Sequence, residues 1–117
     1  MPHQHVVSTD SFFDLANLYP RHTGLPFVVW ISMQGNARHD VRVKVSLSPK
    51  AQPGEMISVA LRPEARVIDG DLSAEQLQLL TQWIELNREV LLQYWTGDID
   101  TVDAVSRIRK IGGGEAI

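Results

Sequence analysis

The chain has 117 residues, of which 44% are apolar and 21% charged, and its formal net charge is −3. It contains no cysteine, which excludes disulfides, thiolate metal sites and a cysteine nucleophile. The longest apolar run, Phe27 to Ile31, is far shorter than the roughly 18 residues that a membrane-spanning helix needs, and residues 1–10 lack the features of a signal peptide. We therefore expect one soluble, cytoplasmic domain without a membrane partner.

The first 24 residues are predicted to form an irregular arm. Within them, Ser11 to Leu18 has apolar residues spaced to share one face of a helical turn. A single domain is expected over residues 25–111, and residues 112–117, which include three consecutive glycines, are expected to be a flexible tail.

Four segments predict β-strands. Phe27 to Ile31 is a short β-branched and aromatic run, as in a buried strand. Val41 to Ser48 alternates apolar and polar residues, so that one face meets the core, and the two segments predict an antiparallel hairpin. Met56 to Leu61 alternates in the same way, and Ala65 to Ile68 follows a proline and suits a short edge strand or a bend.

A long helix is predicted from Ala74 to about residue 95. Ser73 and Gln76 fit a capping box at its start, and Gly97 is a natural stop at its end. Asn87 lies on the apolar side of this helix, which leaves open whether the helix breaks there.

A short second helix is predicted after Asp100, which suits the N-cap position. Its expected buried stripe consists of Val102, Val105 and Ile108. Strands followed by helices indicate an α+β fold, with a small antiparallel sheet of three or four strands and both helices packed on one face.

The charges are unevenly distributed along the chain. Pro20 to Ile68 carries a net charge of +4, and Asp69 to Asp103 carries −7. The predicted sheet is therefore basic and the predicted long helix acidic, which suggests a charged face for a partner.

Histidines are the first candidates for chemistry. His39 could act as a general base, but Asp40, its neighbour in an extended segment, points to the opposite side and is poorly placed to orient the ring. His3 and His5 could share a metal, but no third ligand accompanies them. We expect no catalytic residue, no metal and no cofactor.

The polar face of the sheet is the second candidate. Arg42 and Lys44 share one face of their strand, and Arg62 could extend the stripe from the next strand. Such a face can contact nucleic-acid phosphates, although sheets that bind single strands usually add exposed aromatic residues. Only Trp30 could serve in this way, if its face is the open one.

The long helix offers a third candidate, an interface. Its aromatic residues belong to types that are enriched in interfaces, and additional leucines widen its apolar face. Packing in the core of one chain and burial in a homodimer are both open. The aromatic residues are Trp83, Tyr94 and Trp95, and the leucines are Leu79, Leu86 and Leu92.

Two segments, Leu25 to Lys44 and Leu77 to Trp95, resemble a group of short, uncharacterised proteobacterial proteins over roughly residues 22–111. A more distant similarity is to small bacterial proteins of unknown function that are often encoded beside toxin–antitoxin genes. Those proteins have a histidine-rich strand entry, where this chain has only His39. The resemblance implies an α+β fold and a bacterial cytoplasmic or mobile-element setting, and it implies no reaction.

Together these observations predict a non-enzymatic regulatory module that binds a protein partner, of the antitoxin-like or phage-inhibitor type. The predicted binding residues are Arg38, His39, Arg42, Lys44 and Arg62. Nucleic-acid binding by the same basic face is the alternative, and a small enzyme that uses His39 is the second alternative.

Overall fold

The computed structural model describes residues 15–47 and 56–112. The elements in chain order are β1 (Leu15–Leu18), α1 (Pro20–Thr23), β2 (Val28–Ser32), β3 (Arg42–Ser46), β4 (Ile57–Ala60), β5 (Arg66–Asp69), α2 (Ala74–Thr96) and α3 (Thr101–Arg107).

The strands form one antiparallel sheet in which they follow each other in sequence order. Strands β2 and β3 are the predicted hairpin, and Trp30 lies opposite Lys44 in it. The α+β class is confirmed, but residues 15–47 and 56–112 contain a sheet of five strands, where three or four were predicted.

The unpredicted strand is β1, which lies in the segment expected to be irregular or helical. Leu15 pairs with Ser32 and Leu18 pairs with Val29, so the segment joins the edge of the sheet. Its sequence is short enough to fit either periodicity, and pairing with a strand distant in sequence decided between them. Residues 1–14 and 113–117, which cover most of the expected arm and tail, lie outside the described residues.

The two faces of the sheet differ in what covers them. One face packs against α2 and forms the core, with Val29, Ile31 and Val43 each at most 2% exposed. The alternate residues of the same strands, among them Trp30 and Lys44, point to the opposite face because side chains alternate along a strand. That face, on which Lys44 is exposed and Val28 and Ser46 are buried, is called the open face below.

Helix α2 has the predicted ends. The Ser73 hydroxyl accepts a hydrogen bond from the Gln76 amide at 3.0 Å, and the Gln76 side chain accepts one from the Ser73 amide at 2.8 Å. Gly97 ends the helix with φ at +83°, a conformation that glycine adopts without steric cost.

Helix α2 does not break at Asn87, because the buried Asn87 amide finds partners outside the helix. Its Oδ1 accepts a hydrogen bond from the Arg109 amide at 2.7 Å, and its Nδ2 donates to the Arg109 carbonyl at 3.1 Å. Nδ2 also donates to the Trp83 carbonyl at 3.0 Å. A polar residue in the core is thus satisfied by the segment after α3.

The prediction for the buried stripe of α3 is wrong for Val102 and Val105 and holds for Ile108. Val102 is 76% exposed and Val105 is 37% exposed, whereas Ala104 is fully buried and Ile108 is partly buried. The helix has only seven residues, and Ala104 is the one that it buries, so the two valines lie on its outer sides.

Candidate binding site on the open face

A pocket of about 250 Å³ lies on the open face of the sheet. Strands β1, β2 and β3 supply most of its lining, together with residues just before β3 and β4. The lining residues are Leu15, Trp30, Ser32, His39, Arg42, Lys44 and Met56. The structure therefore brings together three of the predicted binding residues, His39, Arg42 and Lys44.

The polar groups of this pocket are mostly hydrogen-bond donors. Arg42 and Lys44 are cations, and neither forms a salt bridge with a described residue. Trp30 Nε1 and Arg42 Nε are shielded from solvent, and no described residue accepts a hydrogen bond from either. No acidic side chain is among the described lining residues. The pocket therefore suits a negatively charged group.

His39 lines the pocket and also contacts the core residue Trp95. Its ring stacks on the buried Trp95 ring, with 5.7 Å between the ring centroids. Its Nδ1 lies 2.8 Å from the backbone carbonyl of Asp40, and because a carbonyl only accepts, Nδ1 carries the proton. A backbone group thus orients the ring, and the enzyme alternative that uses His39 stays a prediction.

The Asp40 carboxylate is bound by Arg62. Arg62 Nε and Nη2 donate to its two oxygens at 2.9 and 2.8 Å, in a two-point ion pair. The hydrogen bonds from Arg62, with a smaller contribution from the Val41 amide, lower the pKa of Asp40 to about 2. The charge of Arg62 is thus paired with Asp40, and Arg62 is not among the described lining residues of the pocket. Its role as a binding residue stays a prediction.

The other predicted residues lie elsewhere. Arg38 is exposed and is not part of the described pocket lining. Trp83 and Tyr94 are fully buried and Trp95 is 3% exposed, which corrects the expectation that these aromatic residues form an interface. These three side chains pack in the core of the chain, and a partner could contact them only if the core unpacked.

His22, between Pro20 and Gly24, is half-buried. It lies in α1, where its Nδ1 accepts a hydrogen bond from the Tyr19 amide at 3.0 Å. Burial, followed by the charges of Arg21 and Lys110, lowers the pKa of His22.

No group of three histidine, aspartate or glutamate side chains is arranged for a metal within residues 15–47 and 56–112. His3 and His5, the pair considered for a metal from the sequence, lie outside these residues.

Sequence reasoning missed three of the lining residues. Ser32 follows Trp30 by two positions and shares its face, so the alternation could have identified it. Met56 precedes the open-face residue Ser58 by two positions, which is the same signal. Leu15 could not have been found in this way, because β1 itself was not predicted.

Neither α2 nor α3, the longer helices of the described chain, combines the length and hydropathy required to span a membrane.

Residues 50–96 match the model of a family described as a domain of unknown function, DUF4160. The match covers less than half of the chain: it includes β4, β5 and α2, and it omits β1 to β3, which form most of the pocket. The match confirms the similarity to a domain of unknown function, and it assigns no activity. No curated protein and no solved structure gives a significant match to the chain.

Proposed function

We propose that this protein is a small, non-catalytic binding module that holds an acidic segment of a protein partner on the open face of its sheet. The observation that carries the proposal is the pocket in which Arg42 and Lys44 lie beside Trp30 without an acidic neighbour among the described lining residues. Opposite charge on the partner would steer the encounter and fix its orientation.

The composition of the pocket supports a protein partner. Aromatic residues, methionine and arginine are enriched in protein interfaces, and Trp30, Arg42 and Met56 supply one of each. Leu15 is 40% exposed and adds apolar surface at the rim. An acidic side chain flanked by apolar residues would match this combination of charge and apolar area.

The module is proposed to work as a regulator in a bacterial cytoplasmic or mobile-element setting, of the antitoxin-like or phage-inhibitor type. This part of the proposal is supported only by the resemblance of its sequence segments to small bacterial proteins. Partner identification would decide it.

Nucleic-acid binding by the same face is the second candidate, and the position of Trp30 favours it. Trp30 lies on the open face, where its ring could stack on a base while Lys44, directly opposite on β3, contacts a phosphate. A protein partner is preferred because Trp30 is the only tryptophan, tyrosine or phenylalanine among the described lining residues, and sheets that bind single strands usually offer several such rings for successive bases.

Binding of model ligands tests both candidates. The ligands are a terminally blocked peptide of glutamate and leucine residues and a single-stranded oligonucleotide, each titrated at several salt concentrations. We expect the peptide to bind, and we expect R42E/K44E to weaken its affinity at least about tenfold, equal to about 1.4 kcal/mol.

The matched control is R107E/K110E, which makes the same change in net charge at exposed positions near the C-terminus. Its peptide affinity should stay within about twofold of the wild-type value. An equal loss in both double variants would show a general charge effect and contradict the proposal. Oligonucleotide binding that falls steeply with salt, combined with no peptide binding, would establish the alternative.

A further inference from the structure

Two hydrogen-bond donors of the open-face pocket have no acceptor among the described residues. They are Trp30 Nε1 and Arg42 Nε, which belong to adjacent strands and line the same cavity. A buried donor without a partner is unfavourable in a folded protein, so each such group calls for an explanation, and a bound acceptor is one of them. The pocket therefore calls for an acceptor that the described chain does not provide.

The surroundings of these donors indicate what the acceptor is. Arg42 and Lys44 add two positive charges, and Ser32 adds a hydroxyl group. A carboxylate has two oxygens that can accept from several N–H groups at once, and hydrogen bonds to an ionised acceptor are the stronger kind. The apolar lining, Leu15 and Met56, suits the methylene groups that carry such a carboxylate.

We infer that this pocket is a carboxylate-binding subsite, in which Trp30 Nε1 and Arg42 Nε donate to one aspartate or glutamate side chain of the partner. The inference rests on the proposed binding function and names the group that is recognised. Because both donors are shielded from solvent, binding requires neighbouring side chains to move aside, and Lys44 and Met56 are long and unbranched.

Nuclear magnetic resonance of the full chain labelled with ¹⁵N tests the inference directly. The indole N–H and the arginine Nε–H give separate signals, and a new acceptor moves such signals downfield. The probes are acetate, phosphate and the blocked glutamate–leucine peptide, with sodium chloride at equal ionic strength and a glutamine-for-glutamate peptide as controls. We expect saturable shifts of the Trp30 and Arg42 signals with acetate and the glutamate peptide only.

Trp83 provides a control within the same molecule. Its Nε1 is also buried without a described acceptor, but it lies in the core and not in the pocket, so its signal should not move. The W30F variant assigns the responding indole signal, and K44A should weaken acetate binding severalfold while the Trp30 response remains.

The outcomes separate the inference from the proposed function. Peptide binding without a Trp30 or Arg42 response would overturn the carboxylate subsite and leave the binding module intact. An acetate response without peptide binding would support the subsite and contradict the proposed partner. A response to phosphate alone would overturn the carboxylate assignment, and no response to any probe would overturn both.

Discussion

The two faces of the sheet are made by the same strands and have opposite properties. On β3, Val43 is 1% exposed and packs in the core, while its neighbour Lys44 is exposed and lines the pocket. Alternation of side chains along β3 places the structural residue Val43 directly beside the pocket residue Lys44. A substitution on the inner face should therefore change the stability of the fold, whereas a substitution at the next position, on the open face, should change binding.

The largest effect is expected in the core that covers the inner face. Trp83→Ala removes a fully buried indole and leaves a cavity beside the sheet. Losses of this kind cost about 3–5 kcal/mol of unfolding free energy, which denaturant titration measures. A loss below about 1 kcal/mol would show that this core is not tightly packed.

The next effect is expected at Asn87, where the core depends on a hydrogen bond to a distant segment. Asn87→Ala leaves the amide and carbonyl of Arg109 without their partner and should cost about 1–3 kcal/mol. Hydrogen exchange at Ile111, whose amide donates to the Thr23 carbonyl, should accelerate. The exposed Gln82→Ala on the same helix is the control, and equal acceleration in both variants would contradict the assigned role.

Lys44→Ala tests the difference between the two faces most directly, because it changes a side chain of the open face next to the core residue Val43. We expect the unfolding free energy to change by no more than about 0.5 kcal/mol, as for other surface substitutions. The same variant should bind the glutamate–leucine peptide more weakly. A large loss of stability would mean that the open face also supports the fold.

The smallest effect concerns the ion pair beside the pocket. Arg62→Met should raise the pKa of Asp40 from about 2 toward the ordinary aspartate value of 3.8, because the hydrogen bonds from the guanidinium are lost. In the wild type the pair contributes stability above pH 3.8, and that contribution is lost as the pH falls toward 2. Carbon-detected titration of the Asp40 carboxyl measures the shift, and Arg66→Met should leave it unchanged.

Local patterns predicted the elements that local forces determine. The alternation of apolar and polar residues from Val41 predicted β3 and its two faces. The pairing of Ser73 with Gln76 predicted the start of α2. These features depend on neighbours a few residues away, which the sequence displays directly.

The features that sequence reasoning missed depend on distant partners. Strand β1 exists because Leu15 meets Ser32, and α2 continues through Asn87 because Arg109 completes its hydrogen bonds. The pocket likewise arises from several strands, so only Trp30, His39 and the two residues of β3 were anticipated, Trp30 on the condition that its face is the open one. The pairing of Asp40 with Arg62, 22 residues away, equally left no local signal.

The bond between Asn87 and Arg109 has a consequence for synthesis of the chain. A domain emerges from the ribosome starting with its N-terminal end, so α2 is available before the segment that satisfies its buried amide. Until residue 109 emerges, the Asn87 amide lacks two of its partners, and Thr23 likewise awaits Ile111. Folding of this protein should therefore be completed only when nearly the whole described chain has left the tunnel, and nascent chains that end at residue 107 should remain sensitive to protease.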